Sequence, residues 1–203
     1  MSISVSPTEL EPSCGEVVGA SLVEVATTAV VPEELALFDN LTAREHLTFV
    51  GRMHSMEKQT LRGRIDELLP LLGLEQEESK LTLEYSHGMK KKLALAAALL
   101  PDPDLLFLDE PFEGVDAVTS RTIRKLLSDF MERGSTVFLT SHVLEIVERL
   151  CTHVGIIVAG KLVEQTSLAE LGSGGSLEQR FLEVVGTDLD AEQQLSWLGE
   201  GTD

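Results

Sequence analysis

Residues 84–116 read EYSHGMKKKLALAAALLPDPDLLFLDEPFEGVD, and residues 135–142 read STVFLTSH. Tyr85-Ser86-His87-Gly88-Met89 is a turn that opens a helix over residues 86–100, with Ser86 able to cap it. Pro101-Asp102-Pro103-Asp104 breaks that helix. Leu105-Leu106-Phe107-Leu108 has no polar alternation, the pattern of a parallel strand covered on both faces, and it runs into Asp109-Glu110. Residues 136–140 form a second apolar strand, which ends at Ser141-His142. The segment between them is an amphipathic helix over residues 117–133, with Ile123, Leu126, Leu127 and Phe130 as its stripe and Gly134 as its C-cap. Each strand delivers polar side chains at its carboxyl end, where open α/β sheets bind ligands.

Working outward, the chain of 203 residues suits one domain with a short tail, and its 43% apolar and 25% charged residues are ordinary for a globular protein. A net charge of -18 argues against nucleic acid, whose phosphates are held by clustered Lys and Arg. It argues equally against adsorption to anionic lipid. The dense basic cluster is Lys90-Lys91-Lys92, which by itself reads as a solvated face beside a plain Ser N-cap. No apolar run approaches the ~20 residues that cross a bilayer. The start, MSISVSPTELEPS, lacks the basic and apolar regions of a signal peptide. Cys14 and Cys151 are far apart and read as reduced thiols.

Upstream, residues 1–9 carry little signal, Ser13-Cys14-Gly15 reads as a turn and Glu16-Val17-Val18 as a strand start. Residues 23–31, rich in Val, Ala and Thr, suit a buried strand. Glu33 follows Pro32 in an acidic turn. Thr42 and Glu45 make a capping box ahead of Leu47, Phe49 and Val50. His46 and His54, with no partners at ligand spacing, read as solvated surface residues. Leu61, Ile65, Leu68, Leu69 and Leu72 share a helical face that Gly73 ends, with Pro70 kinking or shortening the last turn. Downstream, residues 155–161 match the Gly-x4-Gly-Lys spacing of a phosphate-binding loop. Their filling of Ile156, Ile157 and Val158, and Leu162 after the Lys, make them a hairpin turning at Ala159-Gly160-Lys161 instead. Residues 172–176 (GSGGS) read as a linker, residues 176–186 as a short helix capped by Ser176, and the remainder as an acidic tail with Trp197.

In order and spacing these pieces resemble the ATP-binding subunit of an exporter-type ABC transporter, over about residues 10–185. YSHGM stands at the family's signature, LLFLDEP at its Walker B strand, EGVDA at its D-loop and TSH at its switch histidine. The resemblance implies an α/β P-loop NTPase fold: a mostly parallel sheet flanked by helices, with a helical subdomain at about 41–100, N-terminally truncated. It divides the chain into an ATPase domain over 1–175 and a C-terminal helix and acidic tail over 176–203.

The resemblance also implies ATP and Mg²⁺, with Asp109 on the metal, Glu110 as general base and His142 on the γ-phosphate and attacking water. Ser86, Gly88, Met89 and, in the D-loop, Asp116 would bind nucleotide. Glu33 stands where the family has a Gln that contacts metal and water. It also implies a membrane permease and a second ATPase subunit as partners, and a place at the inner face of the cell membrane through that permease, without insertion. Without the resemblance, Asp109 and Glu110 are acids at a turn and His142 a strand-end histidine.

One motif is missing. No Gly-x4-Gly-Lys-Ser/Thr precedes Leu10, and the phosphate cradle depends on it. A subunit lacking its N-terminal portion, a non-hydrolysing partner that donates only its signature, and an ATPase of a soluble system all remain open on this text. The resemblance implies a parallel sheet with residues 25–31 beside 105–108 and these beside 136–140. With the P-loop strand absent, residues 136–140 would keep an open inner edge or close directly onto 154–158. The chain would then be poorly soluble.

Overall fold

In the computed structural model, residues 27–171 and 176–185 are described in full and residues 2–5 by their backbone. The strands are β1 (Ser2–Val5), β2 (Thr28–Val31), β3 (Leu105–Asp109), β4 (Thr136–Thr140), β5 (His153–Val158) and β6 (Lys161–Ser167). The helices are α1 (Ala43–Met53), α2 (Lys58–Leu71), α3 (His87–Leu99), α4 (Ala117–Glu132), α5 (Leu144–Leu150), α6 (Leu168–Leu171) and α7 (Leu177–Val185). The readings at Leu10, Ser13, Cys14 and Glu16, the linker 172–175 and Trp197 fall outside the described residues.

The six strands form one sheet in the order β2-β3-β4-β1-β5-β6. β2 pairs parallel with β3, and β3 parallel with β4, as the sequence predicts. In register, Val31, Leu108 and Leu139 form one row across the sheet, and Val30, Phe107 and Phe138 the next. Residues 136–140 neither keep an open edge nor close onto β5. β1 fills the slot, antiparallel to both β4 and β5. That corrects the expectation, and the reason is elementary. A strand edge is a row of unpaired N–H and C=O groups, and any extended segment within reach can satisfy it. Ser-Ile-Ser-Val is such a segment, although nothing in its four residues marks it as a core strand.

A second correction concerns covering. Leu106, Leu108, Val137 and Leu139 are buried, whereas Val30 is 61% and Phe107 37% exposed. α3 packs on β2 and α4 on β4. Leu95 of α3 and Ile123 of α4 share a small space with Val31 and Leu108, so both helices lie on the face of the Val31 row. The other face carries Phe107 and Phe138 with ring centroids 5.5 Å apart. Residues 23–31 also give a shorter described strand than expected, at the sheet edge rather than buried within it.

Local chemistry explains the helices. Thr42 and Glu45 close the capping box of α1 in both directions. Leu61, Ile65 and Leu69 bury the core stripe of α2, which runs one residue past Pro70 before Gly73 turns away with φ of 64°. Ser86 caps α3 through Met89 N–H, and α4 buries Ile123, Leu127 and Phe130 before Gly134 at φ of 98°. The β5–β6 hairpin turns at Ala159 and Gly160, both at positive φ, the signature of a two-residue I′ turn. Ser176 caps α7 through Gln179 N–H. His46 departs from expectation. It is 3% exposed, beside the Phe38 ring, because position 46 falls on the buried face of α1 with Ala43 and Leu47. His54 is exposed, as read.

Candidate functional site

The carboxyl ends of β3 and β4 bring Asp109, Glu110 and His142 together. Parallel pairing sets Asp109 opposite Thr140, whose hydroxyl donates to the Asp109 carboxylate. One residue on, Glu110 turns the chain with φ of +44°, a left-handed conformation rare for a side chain with a Cβ. Its N–H donates to the Thr140 carbonyl at 3.2 Å and to the Thr140 hydroxyl at 3.3 Å. This bend aims the Glu110 side chain across the strand end. Its Oε1 lies 3.0 Å from His142 Nδ1. Glu110 is 19% and His142 67% exposed, so the pair faces solvent mainly through the ring.

The Glu110 carboxylate raises the His142 pKa above its ordinary value, first by hydrogen bonding and then by charge, with smaller contributions from Glu113 and Glu33. Glu33 is thus close enough to be felt at His142, although it is exposed just beyond β2. The pairing leaves Nδ1 donating to Glu110 and Nε2 free to meet a ligand.

The other predicted residues lie on the neighbouring turns. Ser86 Oγ accepts from Met89 N–H at 3.3 Å, so the Ser86 hydroxyl is engaged as a cap. Gly88 is packed against the turn before α4: a Cβ there would lie 3.2 Å from the Gly114 carbonyl oxygen. Gly114 has φ of +68°, and a Cβ on it would meet the His87 ring at 2.9 Å. His87 therefore lies over Gly114, which gives this unassigned residue a place. Asp116 caps α4 through Val118 and Thr119 N–H and the Thr119 hydroxyl, and these hydrogen bonds hold its pKa below the usual range.

The lysine cluster is not a solvated patch. Lys90 lies 3.9 Å from Asp39. Lys91 is 4% exposed, and its Nζ donates to the Glu110 carbonyl at 2.6 Å. Neither Lys91 nor Thr140 stands out in the sequence as a site residue. The available signal was the helical spacing of Lys91, four residues before Leu95 on the buried stripe of α3.

As a metal site, this is one carboxylate. Among the described residues, no three His, Cys, Asp or Glu side chains converge to hold an ion. That suits Mg²⁺, which keeps its waters and is held through one or two carboxylates together with substrate phosphates. Asp109, exposed and fixed by Thr140, fits such a role.

A protein-family model described as ABC transporter matches residues 9–113, just over half of the chain. The chain belongs to the ABC transporter family. Over 136 residues it is 41% identical to the bacitracin transport ATP-binding protein BcrA of Bacillus licheniformis, covering 66% of this chain and 44% of that protein. The linearmycin resistance ATP-binding protein LnrL of Bacillus subtilis is 37% identical over 134 residues, covering 66% of this chain and 43% of that protein. A solved ATP-binding subunit of an ABC transporter superposes with a TM-score of 0.73 at 27% identity, over 78% of this chain and 68% of that one. The chain spans less than half the length of these two curated relatives. It is an ABC-family chain whose fold is that of an ATP-binding subunit.

Proposed function

We propose that this chain is part of the ATP-binding subunit of an ABC exporter, coupling ATP hydrolysis to transport through a membrane permease. The observation that carries the reading is the Glu110–His142 contact of 3.0 Å at adjacent strand ends. Glu110 acts as general base, drawing a proton from the attacking water through its carboxylate. In its protonated form His142, oriented by that carboxylate, directs Nε2–H to the γ-phosphate and the water. Asp109 would hold Mg²⁺, which would supply charge neutralisation to the phosphates. Glu33 would accept hydrogen bonds from water beside the nucleotide but, unlike a Gln, would donate none.

Ser86, Gly88 and Met89 open α3 at a helix N-terminus, whose dipole suits a phosphate, although Met89 N–H is already engaged by Ser86 Oγ. They serve the nucleotide of a second ATPase subunit, across an interface to which Asp116 and its turn contribute. Residues 1–175 form the ATPase domain, with the helical subdomain at 41–100, and residues 176–203 the C-terminal helix and tail. The permease docks on that subdomain, where Phe49, Met53 and Leu83 are exposed. Attachment to the inner face of the cell membrane runs through that permease; among the described residues no helix is long and apolar enough to cross a membrane.

The described residues supply the hydrolytic end of a nucleotide site. We therefore expect calorimetric titration of this chain with Mg-ATP to give no micromolar binding. Supplied with a Gly-x4-Gly-Lys-Ser/Thr segment upstream of Leu10, the chain binds and hydrolyses Mg-ATP. Glu110→Gln in that form stops turnover and leaves binding intact. Undiminished turnover would reduce Glu110 to a turn residue, and binding without turnover in the unsubstituted form would assign a signature-donating role alone.

A further inference from the structure

We propose that Lys91 is a positioning residue for Glu110: its ammonium holds the Glu110 carbonyl and so keeps the Glu110 carboxylate aimed at His142. The proposal rests on the reading of Glu110 as the reacting carboxylate, and it deepens that reading.

Lys91 lies within the first two turns of α3, in a position 4% exposed to solvent. A buried ammonium is strongly unfavourable unless it is paired and hydrogen-bonded. Lys91 Nζ lies 2.6 Å from the Glu110 carbonyl oxygen and 3.6 Å from Glu113 Oε2. Glu113 is half exposed, so water weakens that charge contact, and the short bond to the carbonyl is the better-protected one.

The Glu110 carbonyl also accepts from Glu113 N–H at 3.2 Å, closing the turn that follows β3. Glu110 is thereby held on three sides: N–H to Thr140, carbonyl to Lys91 and Glu113, carboxylate to His142. A non-glycine residue keeps a φ of +44° only where its surroundings over-determine it. The Thr140 bonds come from the next strand and the Glu113 bond from within the turn. Lys91 ties this backbone to α3, the helix opened by Ser86, Gly88 and Met89. A shift of that helix is therefore transmitted to the orientation of Glu110.

The test reads the His142 ring, not stability. With ring nitrogens labelled and the pH set where the imidazole is neutral, the unmodified chain shows a protonated Nδ1, donated to Glu110. Glu110→Ala supplies the unpaired reference. Lys91→Met keeps the apolar stem, ends one atom short of the ammonium position and removes the donor. We expect it to lose the Nδ1–H signal and give the Glu110→Ala pattern, while circular dichroism stays that of the folded chain. A folded Lys91→Met that retains Nδ1–H overturns the proposal.

Should Lys91→Met not fold, Lys91→Gln decides. Its amide still donates but is one atom short of the carbonyl, so a mixture of the two ring patterns is expected and a full Nδ1–H signal overturns the idea. The unmodified chain gives a further check. The Lys91 ammonium signal should exchange with water more slowly than that of Lys90, and equal exchange would show that the bond does not persist. None of these measurements uses nucleotide. Their failure leaves the ATP-hydrolysing reading standing, and absent Mg-ATP turnover in the P-loop-supplied form leaves this contact standing.

Discussion

Two histidines that look alike in the sequence behave oppositely. His142 sits beside the Glu110 carboxylate and its pKa is raised above 6.5. His46 is buried with Nδ1 unpartnered, and burial lowers its pKa below 6.5. The signs follow from linkage. The His142 pairing favours the folded state fully below pH 6.5, and its contribution is lost as pH rises through the raised folded value. Neutral His46 leaves stability intact above pH 6.5, and stability falls as pH drops through 6.5 toward the lowered folded value. Ring-proton titration checks the first: Glu110→Gln should bring the His142 midpoint back down toward 6.5. Urea unfolding checks the second. The midpoint should drop between about pH 7.5 and 5.5, and His46→Leu should flatten that dependence. The place of His142 beside Glu110 was legible because it ends an apolar strand next to a second strand ending in acids. That of His46 was not, since one position on α1 separates burial from exposure.

At the scale of elements, two glycines in the helical stretch carry opposite expectations. A Cβ on Gly51 of α1 would lie 2.2 Å from Leu61 Cδ1 and 3.1 Å from its Cγ, so the two helices touch at this residue and Leu61 would have to move as a whole. Gly51→Ala gains ~1 kcal/mol of helix propensity and costs about 1–3 kcal/mol of overpacking, and we expect net destabilisation. A Cβ on Gly63 of α2 would meet nothing within 4 Å, so Gly63→Ala should stabilise by ~0.5–1 kcal/mol. Denaturant midpoints of the two variants should move in opposite directions. The same reasoning applies at the site. Gly88 suits a helix start near a phosphate, and it is also confined by the Gly114 carbonyl at 3.2 Å from a Cβ. Packing alone already restricts that position.

Across the whole molecule, β1 is the element on which sheet continuity depends. It stands between β4 and β5, pairing with the first at four positions from Ser2↔Thr140 to Val5↔Val137. A proline within a central strand removes a ladder donor and clashes with its neighbours. Ile3→Pro should therefore expel β1 and expose the edge of β4, on which Val137 and Leu139 are fully buried. Light scattering and thermal unfolding should show a chain that aggregates and unfolds less cooperatively than the unmodified one. Equal behaviour would mean that β4 and β5 close without β1.

Alone, the sequence determined what local chemistry fixes. Caps at Thr42, Ser86 and Ser176, stops at Gly73 and Gly134 and the Ala159-Gly160 hairpin follow from side chains and neighbours in the chain, and the resemblance implied the parallel β2-β3-β4 pairing, whereas the Asp116 cap of α4 emerged only in the structure. Strand ends carrying Asp109, Glu110 and His142 came with that pairing, because parallel strands deliver their carboxyl ends to one edge. Tertiary structure decided what depends on distant partners. β1 was taken up by an unpaired edge, and its four residues alone do not announce a central strand. Phe107 and Val30 read as core, and only the placement of α3 and α4 on the opposite face of the sheet leaves them exposed. Lys91 read as one lysine of three. Its burial against Glu110 is set by the docking of α3 beside the β3 turn, a contact between residues 19 apart that no local pattern encodes.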